Sequence, residues 1–262
     1  MIVVNMSEFQ EAHTVSSLKG APPGYVGYGR GGILTEAVRR KPYSVVLLDE
    51  VEKAHPDVME LFYNVFDKGI MEDGEGVLVN FKNTVILLTS NAGQEIISSA
   101  CEGRAARPDP DTLVEKLRPA LLRHFAPALL GRLVTVPYYP LGDAEIRAIV
   151  ELKLAKIRER FRSNHQASLS YDASLIDAIT GRCTEVDSGA RNVDHILTHS
   201  LLPELSTQIL ELMSVAETFR SVHISLDASG GFAYKFSNQP GAADAAAAAR
   251  GAADNVHRIG TG

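Results

Sequence analysis

The sequence is poor in the residue types that mark secreted and membrane proteins. Its 262 residues include two cysteines and no tryptophan. Cys101 and Cys183 are too few and too far apart for a disulfide framework or a cysteine-rich zinc site, which fits a reducing, cytoplasmic setting. No apolar run approaches the roughly 20 residues of a membrane helix, since Asn5 and Glu8 interrupt the apolar start at residues 1–4. We therefore expect neither a signal peptide nor a membrane span.

The sequence also has fewer positively charged residues than negatively charged ones. Lysine and arginine number 26 against 32 aspartates and glutamates, which gives a formal net charge of -6. This balance argues against a protein that mainly binds DNA or RNA, because phosphate backbones are held by clustered lysine and arginine. The eight histidines include no H-E-x-x-H or comparable pair, so a metal hydrolase is not predicted either. We expect histidines such as His55 and His195 to lie on helix surfaces or in helix caps.

What the sequence does contain is an alternation of strand and helix. Three short, uninterrupted apolar runs predict buried parallel strands at residues 2–5, 44–49 and 84–90. Helical patterns lie between these runs, and helices are predicted from residue 7, where the spacing is that of a capping box, and at residues 33–40 and 56–68. This order is typical of an α/β fold with a doubly wound parallel sheet.

Two features interrupt the alternation. Asp73 and Gly74 stand between the short mixed segments 70–72 and 77–81, which predicts a β-hairpin. Residues 101–111 are rich in glycine, alanine, arginine and proline, which predicts an exposed connection.

A domain boundary is predicted near Pro140. There the stretch 138–143 separates a last predicted strand, residues 133–137, from a run of helices that Asp143 can cap. The later helices and strands are predicted at residues 144–165, 173–184, 190–215, 222–226 and 232–236. We therefore predict a large doubly wound domain, a small, mostly helical lid domain and a disordered tail rich in alanine and glycine, at residues 1–139, 140–236 and 237–262.

Two adjacent carboxylates end the second predicted strand. Asp49 and Glu50 follow the apolar run 45–48, and side chains at the carboxyl ends of parallel strands line the ligand crevice of such a sheet. In a nucleotide site the first carboxylate can hold Mg²⁺, directly or through water, while the second polarises the attacking water. The same two acids could instead cap and open the next helix. These residues alone leave both interpretations open.

A neutral amide follows the next predicted strand. Asn91 ends the run Thr89-Ser90-Asn91, and the doubly wound order predicts that it lies at the same crevice. There it could orient a water molecule against the terminal phosphate of a nucleotide, or it could cap the following helix. Together, the acid pair and the amide favour the nucleotide site.

Four segments carry a resemblance to a known family. They are residues 5–9 (NMSEF), 20–28 (GAPPGYVGY), 48–56 (LDEVEKAHP) and 89–91 (TSN). In this order they resemble the second ATPase module of the Clp-type AAA+ unfoldases, and the resemblance extends over residues 2–236. It implies an AAA+ fold, ATP and Mg²⁺ as cofactors, ATP hydrolysis coupled to polypeptide threading, and a homo-hexamer in the intact protein.

The resemblance implies roles for the matched residues. Asp49 and Glu50 correspond to the Walker B pair, in which Asp49 holds Mg²⁺ directly or through water and Glu50 is the catalytic base. Asn91 corresponds to sensor 1. Arg132, in LGRL, corresponds to the arginine finger that reaches a neighbouring subunit's nucleotide, and Arg191, in SGARN, to sensor 2, which contacts the γ-phosphate. Without the resemblance, Arg132 is a surface arginine and Arg191 starts a helix, where a cation is disfavoured unless an anion lies nearby.

A glycine-flanked aromatic segment corresponds to the axial pore loop of the family. In residues 24–27 (GYVG), Tyr25 and Val26 would grip a threaded polypeptide, because an aromatic side chain on such a loop packs on many sequences without requiring one. The alternative is a turn rich in glycine and proline with incidental aromatic residues. Arg30 stands where the family more usually carries an acid, which leaves the charge preference for the substrate open.

Within the Clp family, residues 187–206 most resemble ClpV, the ATPase of bacterial type VI secretion, and the ClpB disaggregases come next. This implies that the threaded partner is a subunit of the secretion sheath. We expect no nucleic-acid partner and no membrane partner. A clamp-loader-like nucleic-acid protein is an alternative, which the negative charge and the GYVG loop disfavour.

The phosphate-binding loop that such a module needs does not occur in the sequence. No G-x-x-x-x-G-K-[ST] is present, and residues 27–32 (GYGRGG) have the glycines without Lys-Ser or Lys-Thr. In the family this loop, and the first strand of the sheet, precede the segment that matches residues 5–9. Without the backbone N–H cradle and the lysine, a triphosphate loses most of its ligands. We therefore expect weak ATP binding, negligible turnover, an exposed apolar surface on the sheet and, as an alternative function, a catalytically dead interaction or oligomerisation module.

Overall fold

The computed structural model describes residues 1–25, 27–102, 107–184 and 190–239. The chain divides into two compact units between Pro140 and Leu141, and each unit is taken by itself. Val26, the segment 185–189 and the predicted disordered tail from residue 240 onward lie outside the described residues. No helix in the described ranges is long and apolar enough to cross a membrane.

The first unit is built on a parallel sheet of three strands. Its elements, in chain order, are β1 (Ile2–Asn5), α1 (Val15–Lys19), α2 (Ile33–Arg40), β2 (Val45–Asp49), α3 (Pro56–Lys68), β3 (Ile70–Glu72), β4 (Leu78–Asn80), β5 (Val85–Leu88), α4 (Gln94–Cys101), α5 (Pro110–His124) and α6 (Pro127–Leu130). The sheet has the order β1-β2-β5 with both pairs parallel, while β3 and β4 form a separate antiparallel hairpin. The predicted α/β fold, with its parallel sheet and its hairpin, is confirmed.

One face of this sheet holds the core of the first unit. Val4, Val46 and Leu48 alternate with outward-facing residues along β1 and β2 and are at most 3% exposed. They pack in one cluster with side chains of α2 and α3, including Val38 and the fully buried Phe62. The apolar residues spaced along one face of each helix and the alternate apolar residues of the strands therefore pack into the same core.

The opposite face of the sheet is apolar and open. Val3, Leu47 and Leu87 are neighbours across the three strands, and Val85 lies on β5 before Leu87. Val3, Val85 and Leu87 are 55%, 58% and 50% exposed. Parallel sheets normally bury both faces, so the described part of the chain leaves one face without its usual cover, in agreement with the exposed apolar surface expected from the sequence.

Residues 133–137 do not form the strand that the sequence predicts. The structure gives them no regular secondary structure, and Val134 and Val136 are 92% and 66% exposed. A strand is stabilised by the ladder of a neighbouring strand, and none of the sheets formed by the described residues includes this segment. The β-branched residues here therefore misled the prediction.

The start of the first predicted helix is also different. Asn5, rather than Ser7, supplies the cap, since its side chain accepts a hydrogen bond from the N–H of Ser7 at 3.1 Å. Only the 3-10 turn Met6–Glu8 follows, and it ends where Phe9 turns into the core with 3% exposure. The predicted connection 101–111 overlaps the end of α4 and the start of α5, and it includes residues 103–106, which lie outside the described ranges.

The second unit combines helices with a small mixed sheet. Its elements are α7 (Asp143–His165), β6 (Ser168–Tyr171), α8 (Ala173–Thr184), α9 (Ala190–Ile196), a π-helical segment (Leu197–Leu201), α10 (Leu202–Ser214), β7 (Ser221–Leu226) and β8 (Phe232–Ser237). The sheet order is β6-β7-β8, with β6 parallel and β8 antiparallel to β7. Strand β6 was not predicted, and Ser237, which the sequence assigns to the tail, is the last residue of β8. Gly142, not Asp143, occupies the N-cap position of α7.

Leu48→Ala and Leu87→Ala form a matched pair that tests which face of the sheet holds the core. Leu48 is fully buried, so we expect its truncation to lower the free energy of unfolding by about 2–5 kcal/mol. Leu87 is 50% exposed, so the same change there should cost about 1 kcal/mol or less. Urea unfolding followed by circular dichroism measures both values, and equal losses would contradict this assignment of the two faces.

Candidate functional site

The ends of β2 and β5 are joined by hydrogen bonds centred on Thr89. The N–H of Thr89 donates to the carbonyl of Leu48, and its carbonyl accepts from the N–H of Val51, both at 3.0 Å. The Thr89 hydroxyl donates to Oδ1 of Asp49 and accepts from the N–H of Glu50 at 3.2 Å. One threonine therefore fixes the acid pair at the carboxyl edge of the sheet, where the ligand crevice of a doubly wound fold lies.

Glu50 has an unusual backbone conformation. Its φ of 58° and ψ of 47° are left-handed helical, which costs a residue with a side chain about 1–2 kcal/mol. Strained residues of this kind are concentrated at functional sites. The Glu50 carboxylate accepts a hydrogen bond from Nζ of Lys53 at 2.9 Å. The chain thus turns sharply after the strand, and Lys53 restrains the carboxylate that the turn presents.

Asn91 is joined to the same edge through Glu52. The N–H of Asn91 donates to Oε1 of Glu52 at 3.2 Å. The other carboxylate oxygen, Oε2, is buried and has no hydrogen-bond partner in the described part of the chain. An unpaired buried carboxylate oxygen is unfavourable, and a donor such as bound water would satisfy it. The Asn91 side chain itself is exposed and so is available to a ligand at this edge.

The donors at this edge suit Mg²⁺ better than a metal held wholly by protein. Mg²⁺ prefers oxygen ligands, keeps several waters and usually takes one or two carboxylates together with substrate phosphates. Asp49 offers a carboxylate whose Oδ1 is oriented by Thr89. Across the described ranges, no group of three or more histidine, cysteine, aspartate or glutamate side chains could hold an ion alone. Asp49 therefore fits a magnesium ion that is bound mainly through phosphate and water.

Arg132 lies away from the acid pair, near the C-terminal end of α3. Its guanidinium donates to both carboxylate oxygens of Asp67, with Nη2 and Oδ2 at 2.9 Å, and lies over the ring of Tyr63 at 5.8 Å. These hydrogen bonds from Arg132 lower the pKa of the Asp67 carboxyl. At 1.5 Å per residue, Asp67 is roughly 16 Å along the helix from Pro56, the first residue of α3. Among the described residues, no hydrogen bond or ion pair joins Arg132 to Asp49 or Glu50.

The predicted pore loop is a closed loop on the first unit. Gly20 and Gly31 form an isolated antiparallel bridge at its base, and the Tyr25 side chain at its far end is 69% exposed. Val26, the second residue predicted to grip a polypeptide, lies outside the described residues. Arg191 belongs to the second unit, where it is exposed in the first turn of α9.

Three side chains that hold the site have no counterpart among the sequence predictions: Thr89, Glu52 and Lys53. Thr89 is the first polar residue after an apolar strand, and the parallel register could have identified it as the neighbour of Asp49. The contact between Glu52 and Asn91 joins residues 39 apart in the sequence, so it depends on the folded sheet and no local pattern indicates it.

Two family models match the chain one after the other. The model described as AAA domain (Cdc48 subfamily) matches residues 1–136, and the model described as the C-terminal, D2-small domain, of ClpB protein matches residues 141–223. The chain belongs to the Clp-type AAA+ family. The AAA+ ATPases bind nucleotide with Mg²⁺, so the family agrees with the oxygen donors found at the edge of the sheet.

Individual relatives support the same family. The AAA+ ATPase ClpV1 from Pseudomonas aeruginosa is 58% identical, and the match covers 86% of this Clp-type module and 25% of ClpV1. The chaperone protein ClpB from Yersinia enterocolitica is 53% identical, and the match covers 80% of the module and 24% of ClpB. A closed-state cryo-EM reconstruction of Hsp104 with ATPγS and FITC casein matches with a TM-score of 0.75 and 31% identity, over 91% of the module and 40% of that chain. The module thus spans a quarter or less of these two curated relatives, and the predicted resemblance to ClpV and ClpB is confirmed.

Substitution of Glu50 tests whether its backbone is strained in the Clp-type module. Glycine adopts the left-handed conformation freely and alanine does not, so we expect Glu50→Gly to be about 1 kcal/mol more stable than Glu50→Ala. Urea unfolding measures the difference. The same two substitutions at Glu52, in the 3-10 turn Val51–Lys53, are the control and should favour alanine. A glycine variant at position 50 that is less stable than the alanine variant would contradict the strain.

The pair formed by Asp67 and Arg132 predicts a sensitivity to acid. Because Arg132 holds the pKa of the Asp67 carboxyl below its ordinary value of 3.8, the pair stabilises the fold above that value, and the contribution is lost as the pH falls through the lowered pKa. We expect Asp67→Asn to be less stable than the parent at neutral pH and to lose less stability between about pH 5 and about pH 2. Thermal unfolding across this range measures it, with Glu115→Gln on α5 as the control. An unchanged pH dependence in Asp67→Asn would rule out this effect.

Proposed function

We propose that this chain forms the water-activating part of an ATPase site in the second module of a Clp-type unfolding machine. One observation supports this above all: hydrogen bonds through Thr89 and Glu52 connect the backbone or side chains of Asp49, Glu50 and Asn91 at one edge of a parallel sheet. These residues are a carboxylate that suits Mg²⁺, a second carboxylate and a neutral amide. ATP hydrolysis uses this combination beside the terminal phosphate.

Each of the three residues has a distinct proposed task. Asp49 would hold Mg²⁺, directly or through water, and the ion would neutralise charge on the phosphate oxygens. Glu50 would accept a proton from the attacking water, and its restraint by Lys53 supports a fixed position for that step. The side-chain amide of Asn91 would orient the same water against the γ-phosphate.

Arg132 would act on the nucleotide of a neighbouring subunit in a homo-hexamer. Its side chain is 35% exposed and contacts Asp67 on α3 instead of the acid pair of its own chain, which favours a role between subunits. An arginine supplied in this way raises phosphoryl-transfer rates by about 10³–10⁵. We further propose that residues 1–139 and 140–236 are the large domain and the lid domain, and that Arg191 contacts the γ-phosphate from the lid.

Threading of a polypeptide is the proposed use of the hydrolysis energy. Tyr25 and Val26 would grip the substrate, and the exposure of the Tyr25 ring supports this role. The 58% identity to ClpV1, against 53% to a ClpB chaperone, favours recycling of the type VI secretion sheath in the cytoplasm. Disaggregation of the ClpB kind is the alternative.

Nucleotide titration tests the proposed site directly. The sequence contains no G-x-x-x-x-G-K-[ST], so we expect the chain alone to bind Mg-ATP with a dissociation constant in the millimolar range and to hydrolyse it negligibly. NMR titration should shift the amide signals of Glu50, Thr89 and Asn91, and Asp49→Asn should remove the dependence on Mg²⁺. Lys116→Glu, on α5, is the control. Micromolar binding by calorimetry would contradict the weak affinity, and signal shifts confined to other surfaces would contradict the site.

The open sheet face favours a second candidate function, that of an interaction module without catalysis of its own. Val3, Val85 and Leu87 form an exposed apolar surface, and such surfaces mark sites of association. In this function the chain would join the rings of an intact Clp-type relative and change their ATPase rate.

Mixing experiments test this second function. An excess of the chain should alter the ATPase rate of intact ClpV1, and Leu87→Lys should remove the effect because it places a charge on the open face. Leu122→Lys changes an apolar residue on α5 that is 41% exposed and should leave the effect in place. An ATPase rate that the parent chain leaves unchanged at any ratio would count against the interaction module.

A further inference from the structure

The pore loop carries an uneven distribution of charge. Between Gly20 and Gly31, which close the loop, Arg30 is the single charged residue. The chain as a whole has a formal net charge of -6. The loop therefore presents positive charge on a protein that is negative overall.

Tight backbone turns carry the exposed side chains of this loop. The N–H groups of Tyr25, Tyr28 and Arg30 each donate to the carbonyl three residues earlier, at 3.2, 3.1 and 3.0 Å. The rings of Tyr25 and Tyr28 are 69% and 53% exposed, and Arg30 is exposed as well. Gly27 and Gly29 allow these turns because both have positive φ, 95° and 80°. The loop thus exposes two aromatic rings and one guanidinium.

Close backbone contacts at the base of the loop restrict where the loop can lie. Gly20 bridges Gly31, and the N–H of Gly74, in the turn between β3 and β4, donates to the carbonyl of Lys19 at 3.0 Å. A Cβ atom at Gly74 would lie 2.4 Å from the carbonyl carbon of Gly20, and one at Gly32 would lie 2.2 Å from that of Lys19. No side chain fits at either glycine, so the hairpin sets the position of the loop.

The acids near the loop base do not neutralise Arg30. Glu36 and Asp73 both accept hydrogen bonds from Arg39. Glu75 lines the same cleft as Arg30, and the two side chains form no ion pair in the part of the chain that the structure describes. The guanidinium of Arg30 is therefore available to a ligand of the loop.

We propose that Arg30 gives the pore loop a preference for acidic stretches of polypeptide, an inference that rests on the proposed threading function. Carboxylates of the substrate would pair with Arg30, while its backbone and apolar groups would pack on Tyr25 and Tyr28. A peptide fits this loop better than a nucleic acid does, because a phosphate backbone requires many cations and each loop offers few on a chain of net charge -6. Arg30 is then a specificity-determining residue for the substrate.

Peptide titrations of the 262-residue chain, followed by NMR of the loop signals, test the proposal. Three unstructured peptides of equal length and aromatic content carry glutamate, glutamine or lysine at the same positions. We expect the glutamate peptide to bind about two- to fivefold more tightly than the glutamine peptide, and the lysine peptide to bind least tightly. The difference should disappear at about 1 M salt, where screening acts within about 3 Å.

Four variants identify the source of the preference. Arg30→Glu should reverse the order of affinity for the three peptides, and Arg30→Lys should keep that order. Lys116→Glu makes the same change in net charge on α5 and should leave the order as it is in the parent. Tyr25→Ala should lower the affinity for all three peptides to the same extent. The exposure of these three positions lets each variant be compared at unchanged stability.

The outcomes separate this proposal from the threading function on which it rests. Equal, Tyr25-dependent binding of the three peptides would overturn the charge preference alone. Binding of none of them, or binding that Tyr25→Ala does not weaken, would overturn both. Tighter binding of a single-stranded oligonucleotide than of the glutamate peptide would also overturn the proposal and assign the loop to nucleic acid.

Discussion

The parallel pairing of β2 with β5 is the contact on which the candidate site depends. These strands leave the core in register, so the first polar residue after β5 stands beside the last residue of β2. Thr89 then serves both strand ends with its N–H, its carbonyl and its hydroxyl. Without this pairing, Asp49 and Glu50 would be two acids at the start of a helix, which is the interpretation that the local sequence leaves open.

The strain at Glu50 is offset by its surroundings. Val51, the next residue, is 3% exposed and donates its N–H to Thr89, so the left-handed turn delivers an apolar side chain to the core and a hydrogen bond to β5. Burial of a valine side chain contributes about 1.5–3 kcal/mol, which exceeds the cost of about 1–2 kcal/mol for the turn. The fold can therefore hold a carboxylate in a conformation that an isolated chain would avoid.

The sequence predicts the features of this protein that depend on neighbouring residues. The apolar runs of β1 and β2 and the periodicity of α2 and α3 appear where expected, since each is a local pattern that matches one face of one core. Strand β6 escaped prediction because four residues with two serines carry little pattern, and they become a strand by pairing with β7 more than fifty residues later. The segment 133–137 shows the converse, a strand pattern without a partner.

The same distinction applies to the candidate site. Asp49, Glu50 and Asn91 could be named from motifs, because each follows an apolar run at a fixed position. Glu52 could not, since its bond to Asn91 exists only when two distant strands lie side by side. The tasks assigned to Asp49, Glu50, Asn91, Arg132, Arg191 and the pore loop all stay predictions.

The ion pair between Arg132 and Asp67 affects how subunits would associate. An isolated chain already gives this arginine an anionic partner, with two hydrogen bonds and an aromatic ring beneath it. A nucleotide on an adjacent subunit would have to displace a carboxylate before it could engage the guanidinium. Docking would then exchange one anion for another instead of creating a new attraction. Under the role proposed for Arg132, the net gain in binding energy would be small and would follow the charge on the bound phosphates.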